Sequence, residues 1–457
     1  MPFPANFTWG AAAASYQIEG AAQVDGRAPS VWDAFCRVPG KIYHGDTGDI
    51  ACDHYHHYKE DVSLMKQLGL KAYRLSLSWS RLIPEGTGAA NPKGLAFYNA
   101  LIDELLSAGI TPWVTIYHWD LPLALHRRGG WLNPHSPLWF EDYTRLVVES
   151  FSDRVSQWMT INEPQVFLQL GYVDGVHAPG LRVDWPDALQ MSHNVLLAHG
   201  RSARLIRDEA RVKPFIGYAP VGCAFIPASD RAEDIEAARK LVLGCHDKGF
   251  LGESRNFWSN TWFSDPIFFG SYPEDGLRLF GSDMPEIKPD DMKLIAQPLD
   301  FYGMNTYFAS CIRQGKDGHP EEVPFPDGSP HTLTHWQVTP EALYWTPKFL
   351  YERYQKPIYI TENGLSCMDW VHEDGKVHDP QRIDFTGRYL KQVRRAIEDG
   401  VDIRGYFHWS ILDNFEWAEG YRQRFGLIYV DYPTGKRIPK DSFDWYRGVI
   451  ASNGNSL

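Results

Sequence analysis

The sequence predicts an α/β fold, one (β/α)8 TIM barrel with long loops over its active face. Three observations carry that expectation. A unit of helix, glycine and short apolar strand recurs along the chain. Polar residues stand just past the apolar runs, at the strand ends where such barrels keep their chemistry. No linker or low-complexity tract breaks the 457 residues, so 1–457 reads as a single domain, within the size range of large barrels.

The elements follow in order. Phe7 to Ala14 forms a first strand. Helix 58–68 spaces Val62, Met65 and Leu68 three apart and stops at Gly69, before strand 72–77. Leu95, Tyr98, Leu101 and Leu105 mark a second helix, closed by Gly109 and followed by strand 111–117. Phe385, Tyr389, Val393 and Ile397 repeat the pattern before Gly400 and strand 403–407. Further strands are expected at 157–162, 215–220, 300–305 and 357–361, which makes eight. Alternating helices and strands imply a parallel sheet with right-handed crossovers. Residues 249–299 and 314–330 exceed ordinary connection lengths and are expected to be loops over the active face.

Composition excludes several classes. A net charge of −12 argues against a nucleic-acid partner and for a neutral ligand. The 17 Trp, 23 Tyr and 24 Phe supply flat faces on which sugar rings stack, although most must serve packing. The six cysteines have no paired spacing and are expected as free thiols in a reducing compartment. No signal peptide and no membrane-length apolar run is present, so a cytoplasmic, soluble chain is expected. The sequence leaves the oligomeric state open.

Two stretches share one grammar. Residues 357–364 (PIYITENG) and 158–164 (WMTINEP) each run from an apolar strand into a glutamate. An ionised carboxylate is rarely buried there without a partner or a purpose. Pro164 is expected to hold Glu163 in an extended backbone at the strand end. Two strand-end glutamates, Glu163 and Glu362, are what glycoside hydrolysis requires, one proton donor and one nucleophile or base. The polar residues at the other strand ends are Gln17, Arg74, His118, Asn162, Asn305, Tyr307 and Trp409.

These motifs resemble glycoside hydrolase family 1, the β-glucosidase-like enzymes. The resemblance spans the chain, from FTWGAAAASYQIEG to FGLIYVDYPTGKRIPKDSFDWY, through YHWDLP, TINEP, ITENG and HWSILDNFEW in the family's order. It implies a retaining enzyme acting on small neutral β-glucosides and oligosaccharides, with Glu362 as nucleophile and Glu163 as acid and then base. It implies that Gln17, His118, Asn162, Glu416 and Trp417 bind sugar hydroxyls, that Trp409 is the platform under the ring, and that Phe425 lies near C6. Asn305, Tyr307 and Arg74 match the groups around the nucleophile, and a cis peptide is implied at Trp409-Ser410. After TINEP the family usually has Trp and a small residue; here Gln165 and Val166 stand instead. Trp336, with His177 and Phe167, is the expected leaving-group subsite.

Arg74 is expected to keep Glu362 ionised, and that charge to raise Glu163, so the two carboxyls take different roles. Glu416 is suited to accept from two neighbouring hydroxyls, and NFEW disfavours a phosphorylated sugar. Alternatives are a broader β-glycosidase acting on galactosides or fucosides, a transglycosidase, or a non-catalytic sugar-binding protein, which would lack one of the glutamates. The cluster Asp53-His54-Tyr55-His56-His57 is expected to be a solvated helix start, not a metal site. Glu19, Asp120 and Asp413 are assigned to loop hydrogen bonding. No metal and no cofactor is expected.

Overall fold

The computed structural model describes residues 3–246 and 255–457. Eight parallel strands form one sheet: β1 Thr8–Ala12, β2 Ala72–Ser76, β3 Thr111–Tyr117, β4 Gln157–Asn162, β5 Phe215–Ala219, β6 Tyr302–Asn305, β7 Ile358–Asn363 and β8 Ile403–Trp409. Their order is β5-β4-β3-β2-β1-β8-β7-β6. The remaining gap is stitched by backbone: Asp300 N–H donates to Ile216 O at 2.7 Å, Asn305 N–H to Pro220 O at 3.0 Å, and Gly222 N–H to Asn305 O at 2.8 Å. Closure removes the exposed edges an open sheet would leave.

All eight expected strands are present, and the helices run somewhat longer than their apolar spacing marked, as His54–Leu68, Pro92–Ser107 and Pro380–Glu398. Gly69 and Gly109 end theirs at φ +82° and +76°, a backbone that side chains with a Cβ rarely adopt. Inside the barrel, Trp113 packs on Tyr359, Phe407 and Phe301 with ring centroids 4.8, 5.2 and 5.4 Å apart. Two glycines make room for this plug. A Cβ on Gly217 would lie 2.5 Å from Phe301, and one on Gly405 2.6 Å from Tyr359.

Two long stretches depart from the expected loops. From residue 255 onward, 249–299 is largely helical: Thr261–Phe269, Glu274–Phe280 and Asp291–Ile295 pack on the long helix Trp185–Glu209. Trp262 Nε1 donates to Ser192 Oγ at 3.0 Å, and His193 meets Tyr272 and Asp291. Pro266 inside the first helix, and glycines and prolines between the others, hide that periodicity. Residues 249–254 lie outside the described residues. Within 314–330, Pro320–Val323 is a strand, paired antiparallel with Ala309–Gln314 in a small three-stranded sheet. Among the described residues, no helix is long and apolar enough to cross a membrane.

Candidate active site

The strand ends of the barrel meet in one cavity of about 290 Å³. Glu163 and Glu362 both line it, with His118, Asn305, Tyr307, Trp409, Glu416, Trp417 and Phe425. Local irregularities aim the two acids. The β4–β5 register shifts between Met159 and Asn162, and the β7–β6 register shifts between Ile360 and Glu362. Strict alternation from Tyr359, which points into the plug, would send Thr361 inward and Glu362 outward. The shift lets both serve the interior, as bulges beside active sites commonly do.

Glu163 does not hold the extended backbone that Pro164 favours. It sits at φ +43°, ψ +65°, and caps the helix Pro164–Leu168. The chain must turn from strand into helix within one residue, and that turn overrides the local preference. Trp119 (φ +77°) and Trp417 (φ +49°), also on the cavity wall, share this left-handed conformation. Sparsely populated backbone of this kind concentrates at functional sites.

Glu362 is held from two sides. Arg74 Nη1 donates to its Oε1, and the Tyr307 hydroxyl donates to its Oε2 at 2.7 Å. Arg74 also donates through Nη1 to Thr361 O at 3.1 Å and through Nη2 to Asn162 Oδ1 at 2.6 Å. Asn305 Nδ2 bridges Asn162 Oδ1 (3.0 Å) and Glu163 Oε1 (2.8 Å), while its Oδ1 accepts from Thr361 Oγ1 at 2.6 Å. Asn162 Nδ2 donates to His118 Nε2 at 3.1 Å. That leaves Asn162 one amide hydrogen uncommitted.

Burial raises both carboxyls. Glu163 is pushed well above the usual glutamate range, first by burial and then by the charge of Glu362. Glu362 is raised too, by burial, which Arg74 and then Tyr307 oppose. For both acids burial is a larger cause than any neighbouring charge. Glu416 is also raised, to about 8, by burial and then by Glu362 and Glu419. Burial keeps His118 neutral.

The other expected residues divide. Gln17 is fully buried behind the cavity; its Nε2 donates to Asn414 Oδ1, Phe415 O and Glu416 Oε2 at 3.0–3.2 Å, and its Oε1 has no partner. Trp336 and His177 line the cavity, whereas Phe167 does not. Phe167 instead packs into the core against Tyr117 at 5.3 Å, because its position in the short helix points back to the barrel wall. His54 is no solvated helix start. It is buried and pairs with Asp61, which also receives Arg437, while His56 is exposed and His57 half-buried. Among the described residues, no group of three or more His, Cys, Asp or Glu could hold a metal. Glu19 and Asp413 are buried ion-pair members, with Arg81 and with Lys440 and Arg424, while Asp120 accepts from Ser15. The Trp409-Ser410 peptide is cis.

A family model described as Glycosyl hydrolase family 1 matches residues 1–455. The chain belongs to glycosyl hydrolase family 1. A β-glucosidase A of Thermotoga maritima is 47% identical over 99% of this chain and 98% of its own length. A β-glucosidase A of Acetivibrio thermocellus is 43% identical over 99% of both chains. The T. maritima β-glucosidase solved in complex with castanospermine superposes with a TM-score of 0.90 at 46% identity, covering 99% of each chain. On this family 1 framework, reasoning from sequence missed part of the wall: Trp119, Leu170, Val221, Trp258, Phe308 and Thr334. Trp119, Phe308 and Val221 stand beside strand-end signals, next to His118, next to Tyr307 and just past the strand expected at 215–220. Leu170, Trp258 and Thr334 ride on loops and short helices whose approach no local pattern announces.

Proposed function

We propose that this chain is a retaining β-glucosidase, acting as one catalytic domain, that hydrolyses terminal non-reducing β-D-glucosyl residues by double displacement. The observation that carries this reading is the pair of buried glutamates on one cavity with unequal partners, Glu362 held by Arg74 and Tyr307 and Glu163 by Asn305. Glu362, ionised, attacks the anomeric carbon as the bond to the leaving oxygen breaks. Glu163 delivers its proton to that oxygen. The resulting ester removes the charge of Glu362, so Glu163 becomes more acidic and next takes a proton from the attacking water. The freed glucose leaves both acids as they began.

The free amide hydrogen of Asn162 suits the sugar 2-OH, a bond that strengthens as positive charge grows on the ring. The unpartnered Oε1 of Gln17 suits a donating hydroxyl beside Glu416. Trp409 and Trp417 offer flat faces to the sugar. Relatives named 1,4-beta-D-glucan glucohydrolase support short β-glucans as substrates, and hence a part in cellulose breakdown. Six free thiols support a cytoplasmic setting.

Glu362→Ala is expected to lose on the order of 10⁵ in kcat towards nitrophenyl β-glucoside. Azide, small enough to enter the space left, should restore turnover and give the α-glycosyl azide. Full activity in this variant, or a β-azide product, would overturn the assignment.

A further inference from the structure

Resting on the glucosidase reading above, we infer that the leaving-group side of the cavity is built for an apolar group, an alkyl or aryl chain, and that Gln165 and Val166 together set this preference. The chain enters the helix Pro164–Leu168 directly after Glu163, so side chains 165 and 166 diverge by about 100°. Gln165 is fully buried and does not line the cavity. Its Oε1 accepts from Val221 N–H at 3.3 Å, and its Nε2 donates to Val221 O at 3.4 Å and Ser259 O at 3.3 Å. It thereby ties the helix to the two segments that bring Val221 and Trp258 to the wall. Val166 is then the residue that meets the cavity, with Leu170 four positions on.

The few polar side chains on this wall are partly engaged. Thr306 Oγ1 donates to Gly222 O at 3.1 Å, Thr334 Oγ1 pairs with Thr332 Oγ1 at 2.6 Å, and Glu419 accepts from Arg422 and Gln423 through Oε2 alone. His177, packed edge-on against Trp32, has a ring nitrogen, Nδ1, without a partner. A second sugar would bring several hydroxyls to a wall that can answer few of them. Each hydroxyl buried unanswered lowers binding by roughly 5- to 100-fold, whereas each buried methylene raises it by up to about fourfold. The wall therefore selects a carbon chain over a sugar ring.

The test uses the full chain with methyl, butyl and hexyl β-glucosides and cellobiose, whose leaving oxygens are all alcohols and so need similar help from Glu163. β-Glucosyl fluoride, which places almost nothing on this wall, serves as the reference. We expect kcat/KM to rise by about two- to fourfold per added methylene and to exceed that for cellobiose by about tenfold or more at hexyl. Val166→Asn should flatten the alkyl series. A flat series with the unaltered chain, or cellobiose cleaved as well as hexyl glucoside, overturns the inference while leaving the glucosidase reading intact. An unchanged slope in a folded Val166→Asn removes Val166 from it. No turnover of β-glucosyl fluoride overturns the glucosidase reading itself, and this inference with it.

Discussion

The cavity has two walls of different construction. One is made by strand ends: Asn305 and Glu362, on β6 and β7, line it, and hydrogen bonds interlock them with Arg74 and Asn162, buried behind them on β2 and β4. The other is made by loops and short helices, where Val166, Val221, Trp258 and Trp336 gather with little polar bonding among their side chains. The first wall is stiff because each side chain is fixed by at least two neighbours, which favours a transition state of one shape. The second is held mainly through backbone and through Gln165, so its lining can vary without disturbing the acids. The contrast teaches where chemistry and where leaving-group preference reside in this molecule.

The strongest way to break the strand-end wall, short of removing the nucleophile, is to remove the acid. Glu163→Ala should slow hydrolysis of hexyl β-glucoside by about 10²–10⁴-fold. Formation of the glycosyl-enzyme from a dinitrophenyl glucoside, whose leaving group needs no proton, should be largely spared and appear as a burst. Because Glu163 must be protonated and burial raises it, the alkaline limb of kcat/KM should lie above the ordinary glutamate range. That limb should vanish in Glu163→Gln; a limb that persists assigns it to another group.

Arg74→Met tests whether the wall works by charge. Removing a preorganised charge beside the reacting centre should cost about 10²–10³ in kcat/KM. Glu362, then raised by burial without its guanidinium, should shift the acid limb upward, since its ionised form is the active one. An acid limb that stays put would separate Arg74 from the nucleophile.

A buried charge network underlies the segment that carries Glu416, Trp417 and Phe425. Lys440 Nζ reaches Asp369 at 2.7 Å and Asp413 at 2.6 Å, with Arg382 and Arg424 completing it. Lys440→Met should destabilise the fold by about 3–5 kcal/mol, read by denaturant unfolding, since it leaves the buried network one positive charge short, with Arg382 and Arg424 as the remaining partners of Asp369 and Asp413. A change below about 1 kcal/mol would show the network to be dispensable. The smallest effect belongs to the loop wall. Gln165→Leu keeps the volume but frees Val221 and Ser259, and should lower kcat/KM for hexyl glucoside by less than about tenfold. An equal loss on β-glucosyl fluoride would mean that Gln165 supports the acids instead.

By itself, the sequence determined the barrel and most of the strand-end wall. Eight short apolar runs, helix spacing and terminal glycines are local patterns, and barrel strand ends converge, so a polar residue past each run could be placed without coordinates. Glu163, Glu362, Arg74, Asn162, Asn305 and Tyr307 were all legible on that rule. Tertiary structure alone decided what depends on several segments meeting. It turned Glu163 into a left-handed backbone against the preference of Pro164, and it buried Phe167 away from the cavity. It paired His54 with Asp61 and Arg437 across the chain, and it folded 261–295 into helices against Trp185–Glu209. Periodicity reports which face of one element is apolar; it carries no record of which distant side chain will answer a buried charge, or which loop will complete a wall.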